Sequence, residues 1–187
     1  MEYYVGTSGW AYDWNSKKSL DWFIENTGLN AIELNSSFYH FPSRTSAQTW
    51  SQKSKKLRWS IKVNRLFTHT YKFSEKAIDR WDNFFDIFSP LDAQIDFYLF
   101  QMPPSITPNA ASHVERFIKD TKLRRRFALE FRNAEWFKNE WINWAIDLGI
   151  TLVSVDTPNL PRYIFNTSDL VYLRMHGRTS WYAHQYS

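Results

Sequence analysis

Phe127-Ala128-Leu129-Glu130-Phe131-Arg132 changes character residue by residue, and that alternation decides how the rest of the chain is read. Successive side chains of a strand point to opposite faces. Leu129 and Phe131 therefore share one face, and Ala128, Glu130 and Arg132 share the other. The same split sets Ile32 and Leu34 against Ala31, Glu33 and Asn35, and Trp59, Ile61 and Val63 against Ser60, Lys62 and Asn64. It also sets Val171, Leu173 and Met175 against Tyr172, Arg174 and His176. Four strands agree on an apolar row suited to packing under helices and an inner row that turns polar toward the strand C-terminus. An inner row filled only for stability is dominated by branched aliphatic residues. This one is built for a ligand.

Working outward, seven such runs occur: Tyr3–Ser8, Asn30–Asn35, Arg58–Asn64, Asp96–Gln101, Phe127–Arg132, Ile150–Asp156 and Leu170–His176. The stretches between them read mostly as helices. Ala134–Leu148 places Phe137, Trp141, Trp144 and Leu148 on one face with Gly149 as its C-cap. Thr107–Thr121 begins with Pro108 near its first turn, and Asp79–Phe88 is stopped by Pro90. Repeated strand–helix units with polar residues at the strand ends predict an α/β fold, a TIM-like (β/α) barrel in which seven strands are visible and the eighth is missing. The chain is expected to be a single TIM-like domain over residues 1–187, C-terminally incomplete, with the edges of the first and seventh strands left unpaired.

Composition narrows the function classes. Of 187 residues, 43% are hydrophobic and 22% charged, the profile of a globular domain, while the aromatic share of 19% leaves rings over for loops or a cleft. No cysteine is present, which excludes disulfides, thiolate metal sites and a cysteine nucleophile. No run reaches the ~20 apolar residues of a membrane span, and the N-terminus carries no signal-peptide pattern, so a cytoplasmic protein without membrane contact is expected. The net charge is +4. Its two densest clusters, Lys53/Lys55/Lys56/Arg58 and Lys122/Arg124/Arg125/Arg126, follow helices and precede strands. They read as helix C-terminal caps at the end away from the site, so nucleic acid is possible as a partner but not favoured.

The loops after the strands hold the chemistry. Glu33, Glu130, Asp156 and His176 are the candidate catalytic residues. Ser8, Trp10, Asn35, Tyr39, Lys62, His69, Gln101, Arg132, Arg174 and Arg178 are the candidate binding residues. Arginine forks suit phosphate or carboxylate, a glutamate can serve as base and His176 as proton shuttle, which points to an enzyme acting on an anionic small substrate. The plain alternative is a set of charges that pair only with one another. A second reading, a divalent-metal hydrolase or isomerase, draws on His40, His69, His176 and His184 beside the three carboxylates, without any short ligand-pair motif. A third, carbohydrate chemistry, uses Glu33 and Glu130 as paired carboxylates with stacking aromatics, and a non-catalytic binding or scaffold protein stands beside them all. Gly6, Gly9 and Gly177 permit close backbone approach, possible also to an oxyanion, and Pro103-Pro104 permits a cis bond. The glycine spacing matches no nucleotide fingerprint, and the sequence identifies neither a cofactor nor an oligomeric state.

Six ordered signatures carry a resemblance over almost the whole chain: Val5-Gly6-Thr7-Ser8-Gly9-Trp10, Glu33-Leu34-Asn35-Ser36-Ser37-Phe38-Tyr39, Thr68-His69, Phe100-Gln101-Met102-Pro103-Pro104, Glu130-Phe131-Arg132 and Arg174-Met175-His176-Gly177-Arg178. The chain resembles the YecE-like family, domain of unknown function 72. The resemblance implies a TIM-like barrel and no established reaction. Family members run on through a further helix and a closing strand, whereas this sequence stops shortly after its seventh strand.

Overall fold

The seven apolar runs become seven strands, each short and bounded by a helix or a turn. A computed structural model describes residues 2–186. In chain order the main elements are β1 (Gly6–Thr7), α1 (Leu20–Asn26), β2 (Ala31–Leu34), α2 (Arg44–Lys53), β3 (Arg58–Lys62), α3 (Glu75–Ile87), β4 (Ile95–Gln101), α4 (Ala111–Thr121), β5 (Phe127–Glu130), α5 (Asn139–Leu148), β6 (Thr151–Asp156) and β7 (Tyr172–Met175). The strands form one sheet in the order β1-β2-β3-β4-β5-β6-β7, with parallel pairs such as Glu33↔Ser60 and Val155↔Arg174. This is a TIM-like α/β fold with seven of the eight strands. No helix among the described residues is long and apolar enough to cross a membrane.

The chain divides into two compact units, Met1–Arg65 with Asp79–Tyr98, and Leu66–Ile78 with Leu99–Ser187. In the first, Ser19 caps α1 by accepting from the Trp22 amide, and Ser43 does the same for α2 toward Ser46. The apolar row of β2 and β3 is its core: Ile32, Leu34, Trp59, Ile61 and Val63 are all buried. Trp59 stacks on Trp50 at 5.8 Å, and its Nε1 donates to Ser54 Oγ at 2.9 Å. In the second unit, Phe100 and Phe127 stack at 3.9 Å with Phe117 edge-on, and Phe131 stacks on Trp136 at 5.0 Å. Rings paired this way contribute ~1 kcal/mol each beyond their burial. Many of the aromatic rings are thus core, while Tyr39, Trp181 and Tyr182 are among those left exposed.

Several expectations are corrected. The first strand is only Gly6–Thr7, and Tyr3, Tyr4 and Val5 are exposed. The 107–121 and 134–148 segments each open with a 3-10 turn before their α-helix, because Pro108 and the Asn133 cap start the chain tightly, and Phe137 falls outside α5. Helix α3 starts earlier than read, at Glu75, and Pro90 lies in the 3-10 turn beyond it. No helix links β6 to β7. Pro158 and Pro161 interrupt that stretch, and it runs back along β6 instead, through Phe165 N to Ser154 Oγ (2.9 Å) and Thr167 Oγ1 to Ile150 O (2.8 Å). The apolar row of β7 is consequently exposed rather than covered: Val171 52%, Leu173 46% and Met175 53%. No peptide bond among the described residues is cis, including that of Pro103-Pro104.

Candidate functional site

Glu130 ends β5, where alternation turns it away from the helix-packed row, and it is completely buried. Its Oε1 accepts from Gln101 Nε2 at 2.8 Å and from Arg132 Nε, and its Oε2 accepts from Arg174 Nη1. Arg132 sits two residues further on the same face, and Arg174 comes from β7. Burial alone pushes the Glu130 carboxyl up. The charges of Arg174 and Arg132 outweigh it, with the Gln101 hydrogen bond adding to them, and hold the group at about 2 instead of 4.5.

His176 completes the cluster. Its Nε2 lies 3.0 Å from Arg174 Nη1 and 3.2 Å from Arg132 Nη2. A guanidinium only donates, so this pattern assigns the lone pair to Nε2 and the proton to Nδ1. The chain after β7 folds back over the ring. Tyr182 N donates to His176 O at 2.6 Å, Trp181 and Tyr182 flank the imidazole at 5.8 and 5.7 Å, and the Arg132 guanidinium lies 5.2 Å from the Trp181 ring centre.

The remaining predicted residues of this unit lie elsewhere on it. Asp156 Oδ2 accepts from Arg178 Nε and Nη2 at 3.2 and 3.1 Å, while its buried Oδ1 has no partner. Asp156 pairs in register with Met175, an outward residue, so alternation puts it on the face opposite Val155 and Arg174. His69 occupies a π-helical turn, Leu66–Thr70, with Nδ1 2.8 Å from Thr68 Oγ1. Thr157, which sequence reasoning passes over, is buried with an unpartnered hydroxyl. A lone threonine just past a strand matches no motif, and only its place one residue beyond Asp156 marks it.

In the first unit, Ser8 Oγ donates to Glu33 Oε1 at 3.1 Å, and Lys62 Nζ stands 4.5 Å from the centre of the Phe38 ring. Ser37 Oγ lies within hydrogen-bond distance of both Leu34 O and Lys62 O, tying the ends of β2 and β3 together. Asn35 Oδ1 and Ser60 Oγ are buried without partners, and Tyr39 is 62% exposed. Trp10 packs edge-on against Trp50 and Trp59. Gly6 owes its lack of a side chain to the neighbouring strand, since a Cβ there would meet Ala31 O at 2.1 Å. The metal reading finds no ligand set: among the described residues, no three His, Asp or Glu side chains gather where they could hold an ion.

A TIM-like α/β fold carrying a buried Glu130–Arg132–Arg174–His176 cluster at its strand ends is the class of protein the geometry defines. The chain belongs to the family described as "Protein of unknown function DUF72", whose profile matches residues 4–187. It is similar to a crystallised DUF72 family protein of Thermotoga maritima MSB8, with 26% identity, a TM-score of 0.82, and coverage of 97% of this chain and 77% of that one. A DUF72 family protein of Enterococcus faecalis V583 shares the fold at 20% identity and a TM-score of 0.79, over 96% of this chain and 73% of its own. No curated protein matches the chain in sequence.

Proposed function

We propose that this protein is a cytoplasmic enzyme that binds an anionic small molecule, bearing phosphate or carboxylate, at the Arg132–Arg174–His176 cluster. The observation that carries this reading is that two guanidiniums, of Arg132 and Arg174, converge on Glu130 in a partly buried arrangement. Arg132 also keeps Nη1 without a hydrogen bond among the described residues. A bound oxyanion can accept from that nitrogen, and charge-assisted bonds of this kind are the strong ones. Glu130 serves here as an anchor. Held at about 2, it is ionised at neutral pH and is a weak base, so its work is to orient both guanidiniums. His176, whose Nε2 faces the same guanidiniums at 3.0 and 3.2 Å, is the imidazole of the cluster and can move a proton only once a ligand draws those donors away.

Inorganic phosphate should raise the melting temperature of the wild type in a saturable manner. Arg132→Gln, which leaves the buried Arg174–Glu130 pair in place, should abolish that increment whatever its own baseline, and Arg174→Ala should do the same. A wild type indifferent to phosphate and to acetate would leave Glu130 and its arginines as a purely structural ion-pair network.

A further inference from the structure

Resting on that reading, we infer that Thr157 is a further binding residue of the same site and that its hydroxyl narrows the ligand to a phosphate monoester. Thr157 is 2% exposed, and its Oγ1 has no hydrogen-bond partner. A buried hydroxyl left unsatisfied is costly, so such a group marks the place of a ligand atom or an ordered water. Its position selects the ligand. The β6–β7 ladder pairs Val155 with Arg174 and Asp156 with Met175, and His176 N donates to Asp156 O at 2.9 Å, the bond that closes the Asp156–Met175 pair at the end of the ladder. Thr157 is the residue that follows that pair on the β6 side, as His176 is on the β7 side. Alternation returns it to the face of Val155 and Arg174, the face on which Arg174 meets Glu130.

Donors then come from three successive strands: Arg132 beyond β5, Thr157 beyond β6, and Arg174 on β7. A carboxylate offers two oxygens in one plane, and a single guanidinium fork can satisfy both. A phosphate monoester offers three terminal oxygens in three directions, which suits donors arriving from three strands. Arg174 and His176 are each 6% exposed, a depth that a terminal phosphoryl group reaches more readily than the middle of a phosphodiester chain.

Calorimetric titration of the chain with inorganic phosphate and with acetate tests the assignment. Wild type should bind phosphate at least about tenfold more tightly than acetate. Thr157→Val, which keeps the shape and removes the hydroxyl, should weaken phosphate about tenfold and leave acetate unchanged, the loss of roughly one hydrogen bond to a charged ligand. Thr157→Ser should retain wild-type affinity, and Thr157→Ala repeats the deletion if the valine variant does not fold. Phosphate affinity unchanged in Thr157→Val, or acetate bound as tightly as phosphate by wild type, overturns the inference while leaving the anion site standing. Binding of neither ion by wild type removes the site and the inference together. A single-stranded oligonucleotide without a terminal phosphate should not displace phosphate; if it does, the ligand is a nucleic-acid backbone and not a monoester.

Discussion

Glu130 is the residue on which the second unit's polar cluster turns. Its pKa is lower folded than unfolded, so its stabilising effect is complete above about 4.5 and fades as the pH falls toward about 2. A depression of that size corresponds to on the order of 3 kcal/mol at neutral pH. Wild type should therefore lose that stability in urea unfolding between pH 4.5 and pH 2. Glu130→Gln should start about 3–5 kcal/mol lower at pH 7, because two guanidiniums lose their counter-charge, and should lack the acid-dependent step. Equal acid dependence in the two proteins would contradict this account of the network. At this scale, alternation made Glu130, Arg132, Arg174 and His176 readable as one set. Asp156 was not readable, because its register with Met175 depends on how β7 lies against β6.

Among the elements, the segment after β7 is the one most exposed to a single change. Gly177 has φ +107°, and a Cβ there would meet Ser180 O at 2.1 Å. An alanine must both enter a region that L side chains avoid and displace backbone, a local cost of ~1–3 kcal/mol. Gly177→Ala should release the turn that holds Tyr182 N on His176 O and Gly177 N on Tyr186 Oη. Hydrogen exchange should show faster exchange at residues 177–186 and unchanged protection in β5 and β6. Protection lost equally across those strands would mean that the turn is part of the global folding unit. The presence of this turn was legible from Gly177. Its tight reverse course was not, since Ser180 O and Tyr182 N come close to Gly177 only in the folded loop.

For the whole molecule, the exposed row Val171, Leu173 and Met175 is the surface expected to drive association, with Ile164 also 69% exposed in the same unit. Contiguous apolar surface of this kind promotes association even at a net charge of +4. Val171→Thr combined with Leu173→Lys should lower light scattering at high concentration and the binding of a hydrophobic dye. Because both side chains are about half exposed, melting should move little, within about 0.5 kcal/mol per site. Scattering unchanged by the pair would place the associating surface elsewhere. The sequence by itself determined the strand and helix order, the absence of thiol chemistry and the polar strand ends, because these follow from local alternation and composition. Only the tertiary structure decided that Glu130 is shared by two arginines, that Trp10 packs on Trp50 and Trp59, that β7 keeps an uncovered apolar face and that the Thr157 hydroxyl is buried without a partner. Each of these depends on which residues distant in sequence meet and on what water is excluded from, and local pattern carries neither.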